Sequence, residues 1–146
     1  MLTLPDDRAI YNNMAKDLTV MKTILIIDDD PVVCALLRSF LSLKKYKVAS
    51  YSRLEDALKA LESSPADVVL TDMKMQGIVG AEIIRKVLGA RPDLKLIAMS
   101  GDTSFDKLPP EIKAAVPFLR KPFRLQEVER LLLDLFNQES KGQQSH

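Results

Sequence analysis

Three short apolar runs in this chain each stop abruptly at charged residues. They are Ile26-Ile27 before Asp28-Asp29-Asp30, Val68-Val69-Leu70-Thr71 before Asp72, and Phe118-Leu119 before Arg120-Lys121. Apolar runs of this length, rich in β-branched residues, are typical of buried parallel strands. In an open α/β sheet the carboxyl ends of such strands share one edge, where ligands bind. The sequence therefore predicts a parallel sheet with several carboxylates and one ammonium group gathered at one edge.

The chemistry of this group of charges narrows what it can do. Crowded carboxylates repel one another, so the arrangement favours a bound divalent cation that neutralises them. The lysine ammonium would then meet an incoming phosphoryl group. The pattern therefore predicts a site that accepts a phosphoryl group.

The size and composition of the chain bound the possible classes. With 146 residues and 47% hydrophobic content, one domain with a single core is expected. The 21 basic and 20 acidic residues give a net charge of +1, which supplies no basic surplus for a nucleic-acid surface. A single cysteine excludes an internal disulfide, and no apolar run approaches the roughly 20 residues that cross a membrane. We expect a soluble cytoplasmic protein without nucleic-acid or membrane partners.

Strand and helix patterns alternate five times along the chain. Asp30 is a helix cap with Pro31 in the first turn, and Ser52 with Glu55 forms a capping box for the second helix. Such alternation implies right-handed crossovers and a parallel sheet covered by helices on both faces. The predicted strands cover residues 23–27, 47–51, 67–71, 95–100 and 117–120.

The two ends of the chain differ from its centre. Residues 1–20 are polar and lack clear periodicity, so we expect a loose N-terminal extension. Met21 could even be the functional start, and the sequence leaves this open. Residues 138–146 are polar and are expected to form a flexible tail.

The charged strand ends occur in a specific order and spacing. Asp28-Asp29 follows the first strand, Asp72 follows the third with Gly80 eight residues later, Ser100 follows the fourth, and Lys121-Pro122-Phe123 follows the fifth. In these features residues 21–137 resemble the receiver domain of bacterial two-component response regulators, including the single-domain chemotaxis regulator. The resemblance implies one flavodoxin-like domain, with a five-stranded parallel sheet in the order 2-1-3-4-5 and helices on both faces.

The resemblance also implies a phosphoacceptor and a metal site. Asp72 would attack a phosphohistidine or a small phosphodonor through a carboxylate oxygen. Asp28 and Asp29 would place Mg²⁺, Asp29 as a direct ligand and Asp28 partly through water. Asp72 and the backbone carbonyl of Lys74 would complete the protein ligands.

Other residues would contact the phosphoryl group or respond to it. Lys121 would contact the phosphoryl oxygens, and its bond to Pro122 invites a cis peptide. The Ser100 hydroxyl would move to a phosphoryl oxygen, exchanging a neutral hydrogen bond for a stronger charge-assisted one. Phe118 could then turn inward and change the surface near it.

Two further residues are expected to set the lifetime of the phosphate. Lys74 lies two residues after Asp72, and Asp102 lies two residues after Ser100. Both should flank the path of the attacking water, and they could also pair with each other.

Several positions depart from the family pattern. Gln76 and Val79 occupy positions where the family often has proline and aspartate. Leu108-Pro109-Pro110 falls where the fourth helix would run, and two prolines remove backbone donors. We expect a broken or displaced fourth helix and an atypical partner surface.

The function implied is that of a stand-alone receiver. It would take phosphate from a histidine kinase or histidine phosphotransfer protein, hydrolyse it slowly and signal to a protein target that the sequence does not identify. One alternative is a receiver-like interaction module or a relay fragment of a hybrid kinase. A haloacid-dehalogenase-like phosphohydrolase using Asp28 and Asp30 is disfavoured, because a C-terminal acidic motif and a cap domain are lacking.

Overall fold

The computed structural model describes residues 21–144, with side chains described through residue 138. The N-terminal extension expected at residues 1–20 lies outside the described residues, as do residues 145–146. Within these residues, five parallel strands form the main sheet: β1 (Thr23–Ile27), β2 (Lys47–Tyr51), β3 (Val68–Asp72), β6 (Lys95–Ser100) and β7 (Phe118–Arg120). Their order is β2-β1-β3-β6-β7. Since β6 and β7 are the fourth and fifth strands of this sheet, the predicted flavodoxin-like order 2-1-3-4-5 is confirmed.

A small antiparallel hairpin follows β3 and is separate from the main sheet. Its strands are β4 (Lys74–Met75) and β5 (Ile78–Val79). The two turn residues, Gln76 and Gly77, have φ angles of 47° and 80°. Two positive φ values are typical of the tight turn that closes a two-residue hairpin. The hairpin therefore holds the segment after Asp72 in a defined bend.

Within residues 21–144, five helices cover the sheet, and each face of the sheet has its own apolar core. The helices are α1 (Pro31–Leu43), α2 (Leu54–Ser63), α3 (Ala81–Ala90), α4 (Pro110–Ala115) and α5 (Leu125–Gln144). Because successive strand residues point to opposite faces, Leu25 and Ile27 pack in the core with α2 and α3, whereas Ile24 and Ile26 pack in the core with α1 and α5.

The last helix is longer than the sequence pattern suggested. It continues to Gln144, so most of the segment expected to be a flexible tail is helical. Within residues 21–144, no helix combines the length and apolar character needed to span a membrane.

The starts of α1 and α2 differ in how well the sequence predicts them. The Asp30 carboxylate accepts a 2.9 Å hydrogen bond from the Val32 N–H, as expected of a cap. The predicted capping box at Ser52 and Glu55 is wrong, because α2 begins one residue later with Arg53 at the cap position. Arg53 supplies no capping side chain. A contact from another part of the chain takes over this function, as described below.

The fourth helix is shortened, which confirms the expected interruption. Only six residues are helical, and residues 101–108 form turns and bends. Pro110 occupies the first turn, where its missing N–H leaves no helical bond unmade. Because Pro109 and Pro110 lack the donors that an earlier turn would require, the helix cannot extend further toward β6.

Candidate functional site

The predicted site residues converge at the carboxyl edge of the sheet. Asp28 follows β1, Asp72 ends β3, Ser100 ends β6 and Lys121 follows β7. A 2.9 Å hydrogen bond from the Lys121 N–H to the Ser100 carbonyl joins the last two strands at this edge. The Lys121-Pro122 peptide bond is cis, as the sequence suggested. The side chains are therefore presented from strand ends rather than from long loops.

An open cavity of about 490 Å³ lies at this edge. The predicted residues that line it are Asp29, Asp72, Lys74, Ser100, Asp102 and Lys121. Asp28 is fully buried beside it. Among the described residues, Phe118 is the one predicted site residue that neither lines the cavity nor pairs with the carboxylates and the lysine of the site.

The three aspartates form a compact oxygen cluster. Asp28, Asp29 and Asp72 each place a carboxylate oxygen within 4.8 Å of the others. Asp28 already accepts a 2.9 Å bond from the Asp30 N–H, whereas Asp29 is exposed. Mg²⁺ prefers oxygen ligands and retains several waters in proteins. The cluster therefore fits Mg²⁺, and Asp29 is its most accessible acid.

Lys121 bridges two members of the cluster. Its Nζ donates to Asp28 Oδ2 at 2.5 Å and to Asp72 Oδ2 at 3.4 Å. Burial acts to lower the pKa of Lys121, but the hydrogen bond and charge of Asp28, together with those of Asp72, outweigh it and raise the pKa overall. Lys121 is thus held charged, and it offsets part of the repulsion between the carboxylates.

The environment of Asp72 disfavours its ionised form. Burial raises the pKa of the Asp72 carboxyl; Lys121 opposes this rise, and the negative charge of Asp28 adds to it. The folded-state pKa therefore lies above the ordinary value. Ionisation of Asp72 consequently lowers the stability of the fold as the pH rises through that pKa.

Ser100 has a different partner from the one that the switch hypothesis assumed. The buried Ser100 hydroxyl donates a 2.7 Å hydrogen bond to Asp102 Oδ1. The prediction that Ser100 gives up a neutral hydrogen bond is therefore wrong, because its nearer acceptor is a carboxylate; the neutral Asp102 carbonyl oxygen is farther away, at 3.3 Å. Hydrogen bonds from Ser104 and then Ser100 hold the pKa of Asp102 well below its usual range.

Lys74 and Asp102 both line the cavity, as expected for residues beside the phosphoacceptor. Among the described residues they form no ion pair within 4.0 Å, so the suggested direct pairing does not occur. The Lys74 charge still makes a small contribution to the low pKa of Asp102. The two side chains therefore interact only at longer range.

Phe118 is held by an aromatic contact that sequence reasoning missed. Its ring stacks on Phe105, with 4.1 Å between the ring centroids and 12° between the planes. The Arg120 guanidinium lies over the Phe118 ring, 5.4 Å from its centroid. Any inward turn of Phe118 must therefore break or carry along the stack with Phe105.

Gln76 is a second residue whose contacts were not expected. Its side chain accepts a 3.3 Å hydrogen bond from the Leu54 N–H and donates a 3.1 Å bond to the Ser52 carbonyl. It thus satisfies a donor at the start of α2 that no local side chain caps. Gln76 also lines the cavity, so it ties the hairpin beside Asp72 to α2.

Replacing Gln76 with alanine is expected to lower the free energy of unfolding by about 1 kcal/mol, the usual cost of losing a helix cap. Ser52→Ala is the matched control, because the contact uses the Ser52 carbonyl and leaves its hydroxyl out. Urea denaturation of both variants measures the difference. A larger loss for Ser52→Ala than for Gln76→Ala would mean that Ser52 caps α2 after all.

Several curated relatives are regulatory proteins. The chain is 28% identical over 123 residues to the C4-dicarboxylate transport transcriptional regulatory protein DctD of Rhizobium meliloti, covering 77% of this chain and 27% of DctD. It is 31% identical to the regulatory protein VirG of Agrobacterium tumefaciens, covering 73% and 40% of the two chains. It is 33% identical to the response regulator UvrY of Escherichia coli, covering 80% and 55%. The chain thus spans between about a quarter and just over half the length of these relatives.

Solved structures share the fold. The receiver domain protein of Methanospirillum hungatei, described as CheY-like, superposes with a TM-score of 0.72 at 22% identity, covering 84% of this chain and 98% of that one. A response regulator receiver domain protein from Clostridium thermocellum also gives a TM-score of 0.72, at 26% identity, with 82% and 98% of the two chains covered.

A family model supports the same relationship at the level of sequence. The model, described as the response regulator receiver domain, matches residues 24–133. This stretch includes the five strands of the main sheet, except for Thr23 at the start of β1, and every predicted site residue. Receiver domains are phosphoacceptor signalling domains and bind Mg²⁺ at an acidic pocket. The chain belongs to the response regulator receiver domain family.

Proposed function

We propose that this chain accepts a phosphoryl group on Asp72 in the presence of Mg²⁺ and signals through a phosphorylation-dependent change in protein binding. The observation that carries the proposal is the position of the Asp72 carboxylate. It lines the cavity, lies within 4.8 Å of the Asp28 and Asp29 carboxylates, and is 3.4 Å from the Lys121 ammonium. This set combines a nucleophile, cation ligands and a positive charge for the phosphoryl oxygens.

The transfer step follows from these groups. An Asp72 carboxylate oxygen forms a bond to phosphorus, while the P–N bond of a phosphohistidine or the P–O bond of an acyl phosphate breaks. The leaving group departs with the electron pair of that bond. Before the transfer Lys121 donates to a carboxylate oxygen of Asp72, and after it Lys121 would donate to a phosphoryl oxygen instead. Its positive charge therefore faces the phosphoryl group during the transfer. Lys121 is therefore proposed to orient and neutralise the transferred phosphoryl group.

The metal site draws on the same cluster. Asp29, Asp72 and the backbone carbonyl of Lys74 are the proposed protein ligands, with Asp28 acting partly through water. Both carboxylate oxygens of Asp28 already accept hydrogen bonds, one from the Asp30 N–H and one from Lys121. This supports a role for Asp28 through a water molecule rather than as a direct ligand. When bound, Mg²⁺ would neutralise charge on the carboxylates and on the phosphoryl oxygens.

The remaining proposed roles concern lifetime and output. Lys74 and Asp102 line the cavity and are proposed to limit the approach of the water that hydrolyses the aspartyl phosphate. Ser100 and Phe118 are proposed to carry the switch. The phosphodonor is proposed to be a histidine kinase or histidine phosphotransfer protein, and the target is proposed to be another protein.

The alternatives can be weighed against the site. A haloacid-dehalogenase-like reaction would need Asp30 to act beside Asp28, but the Asp30 carboxylate caps α1. An interaction module without phosphate chemistry would not require Asp72, Lys121 and an oxygen cluster together. In the curated relatives DctD and VirG the matching segment is part of a longer regulatory protein.

Replacing Asp29 with asparagine is expected to weaken Mg²⁺ binding by about tenfold or more, since it removes the charge of the most accessible ligand. The wild-type affinity should be weak, in the millimolar range, or about 4 kcal/mol. Titration with Mg²⁺ followed by NMR chemical shifts measures the affinity independently of phosphorylation.

Asp30→Asn is the matched control for this experiment. It removes a neighbouring charge while its side-chain oxygen still caps α1, so its Mg²⁺ affinity should stay close to that of wild type. Equal Mg²⁺ affinities for Asp29→Asn and wild type would rule out Asp29 as a ligand.

A further inference from the structure

The Ser100 hydroxyl and the Asp102 carboxylate form a closed local arrangement. Ser100 Oγ donates to Asp102 Oδ1 at 2.7 Å, and the Asp102 N–H donates back to Ser100 Oγ at 3.2 Å. The Ser104 N–H donates to the same carboxylate oxygen at 2.8 Å. The first distance is typical of a charge-assisted O–H···O⁻ hydrogen bond. The Ser104 N–H therefore holds the carboxylate in place while the carboxylate accepts the Ser100 proton, and the Asp102 N–H holds the hydroxyl oxygen.

We infer that Asp102 is a positioning residue that competes with the phosphoryl group for the Ser100 hydroxyl and so holds the protein in its unswitched state. The inference rests on the proposed function of Asp72. A serine hydroxyl has one proton to donate, so it cannot serve both acceptors at once. Ser100 is 2% exposed, and water has little access to act as an alternative acceptor.

The competition should be finely balanced. Ser100 gives up a charge-assisted hydrogen bond to Asp102 and gains another to the phosphoryl group. The net gain in free energy is therefore smaller than if the first bond were neutral. Asp102 is exposed, so water can solvate its carboxylate when Ser100 leaves. Asp102 thus shifts the equilibrium between the two arrangements without making the change irreversible.

The same carboxylate is connected to the aromatic pair of Phe105 and Phe118. It holds the backbone of Ser104, which directly precedes Phe105, and Phe105 stacks on Phe118. Release of Asp102 from Ser100 removes one of the contacts that order this loop. The loop and the aromatic pair are therefore expected to respond together when Ser100 moves.

The test follows the switch with a phosphate mimic. Beryllofluoride is titrated in the presence of Mg²⁺ into wild type, Asp102→Ala and Asp102→Asn, and the shift of the Phe118 and Phe105 signals is followed by NMR. Asp102→Ala should reach half-maximal response at about tenfold lower beryllofluoride, equivalent to about 1.4 kcal/mol. Asp102→Asn should fall between the two, because a neutral oxygen still accepts the hydroxyl but less strongly.

Two controls separate competition from a general effect on the loop. Asp106→Ala removes an exposed acid of the same loop, which lies 3.9 Å from Arg120, and should titrate like wild type. In a Ser100→Ala background, Asp102→Ala should cause no further change, because the shared donor is gone. If Asp102→Ala lowers the beryllofluoride concentration at half-maximal response as much in the Ser100→Ala background as it does alone, the inference is overturned.

The outcomes also separate this inference from the proposed function. If wild type shows no Mg²⁺-dependent response to beryllofluoride, the proposed function fails. If wild type responds but Asp102→Ala and Asp102→Asn have the same midpoint as wild type, the proposed function stands and the competition is disproved.

Discussion

Replacing Asp72 with asparagine is expected to abolish phosphorylation by acetyl phosphate in the presence of Mg²⁺. Asparagine keeps the shape of the side chain but has no anionic oxygen to attack phosphorus. Intact-protein mass spectrometry detects the added phosphoryl group directly. Asp93→Asn is the control, because Asp93 is an exposed acid that pairs with Arg91, and it should be phosphorylated like wild type.

The same substitution is expected to raise the free energy of unfolding at neutral pH without Mg²⁺. Burial and then the Asp28 charge, only partly opposed by Lys121, raise the pKa of Asp72, so the neutral form is the better tolerated one. Asparagine resembles that neutral form at every pH. Urea denaturation should therefore show a higher free energy of unfolding for Asp72→Asn at pH 7, and a smaller difference from wild type at acidic pH.

For the phosphorylation experiment, a folded Asp72→Asn variant that is phosphorylated at the wild-type level would place the acceptor elsewhere.

Replacing Lys121 with methionine is expected to cost about 3 kcal/mol of stability without Mg²⁺. The Asp28 carboxylate is fully buried and would lose the partner at 2.5 Å that compensates its charge. Lys121 is 21% exposed, so the cost should lie at the lower end of the range for breaking a buried pair. Denaturation in the presence of a chelator measures this loss.

The same variant should bind Mg²⁺ more tightly than wild type, because a competing positive charge has left the cluster. Added Mg²⁺ should therefore recover part of the lost stability. The double variant Asp28→Asn with Lys121→Met should be less destabilised than Lys121→Met alone, since no unpaired charge remains buried. A Lys121→Met variant as stable as wild type, with unchanged Mg²⁺ affinity, would contradict this description of the pair.

Much of the fold could be predicted because the relevant signals are local. Buried strands end where charges begin, and β1, β2 and β6 have the predicted bounds. Asp30 and Pro31 mark the start of α1. Pro109 and Pro110 explain why α4 is short. In each case the deciding interaction lies within one turn of helix or one strand.

The missed features depend mainly on contacts between distant segments. Gln76 caps a helix that begins 22 residues earlier, so no pattern around Ser52 predicts it. The Phe105 and Phe118 stack likewise joins a loop to a strand. The Ser100 and Asp102 bond is an exception, because serine and aspartate side chains often bond the backbone N–H two residues later, and both do so here, which keeps the two side chains together. That signal was present in the sequence and could have been read.

The phosphoacceptor assignment is tested most directly by locating the phosphoryl group on the wild-type chain. The protein is incubated with acetyl phosphate and Mg²⁺, the acyl phosphate is trapped by borohydride reduction, and the modified residue is identified by peptide mass spectrometry. We predict modification at Asp72 alone, and its loss when Mg²⁺ is chelated. Modification at Asp28 or Asp29, or phosphorylation that does not depend on Mg²⁺, would contradict the assignment.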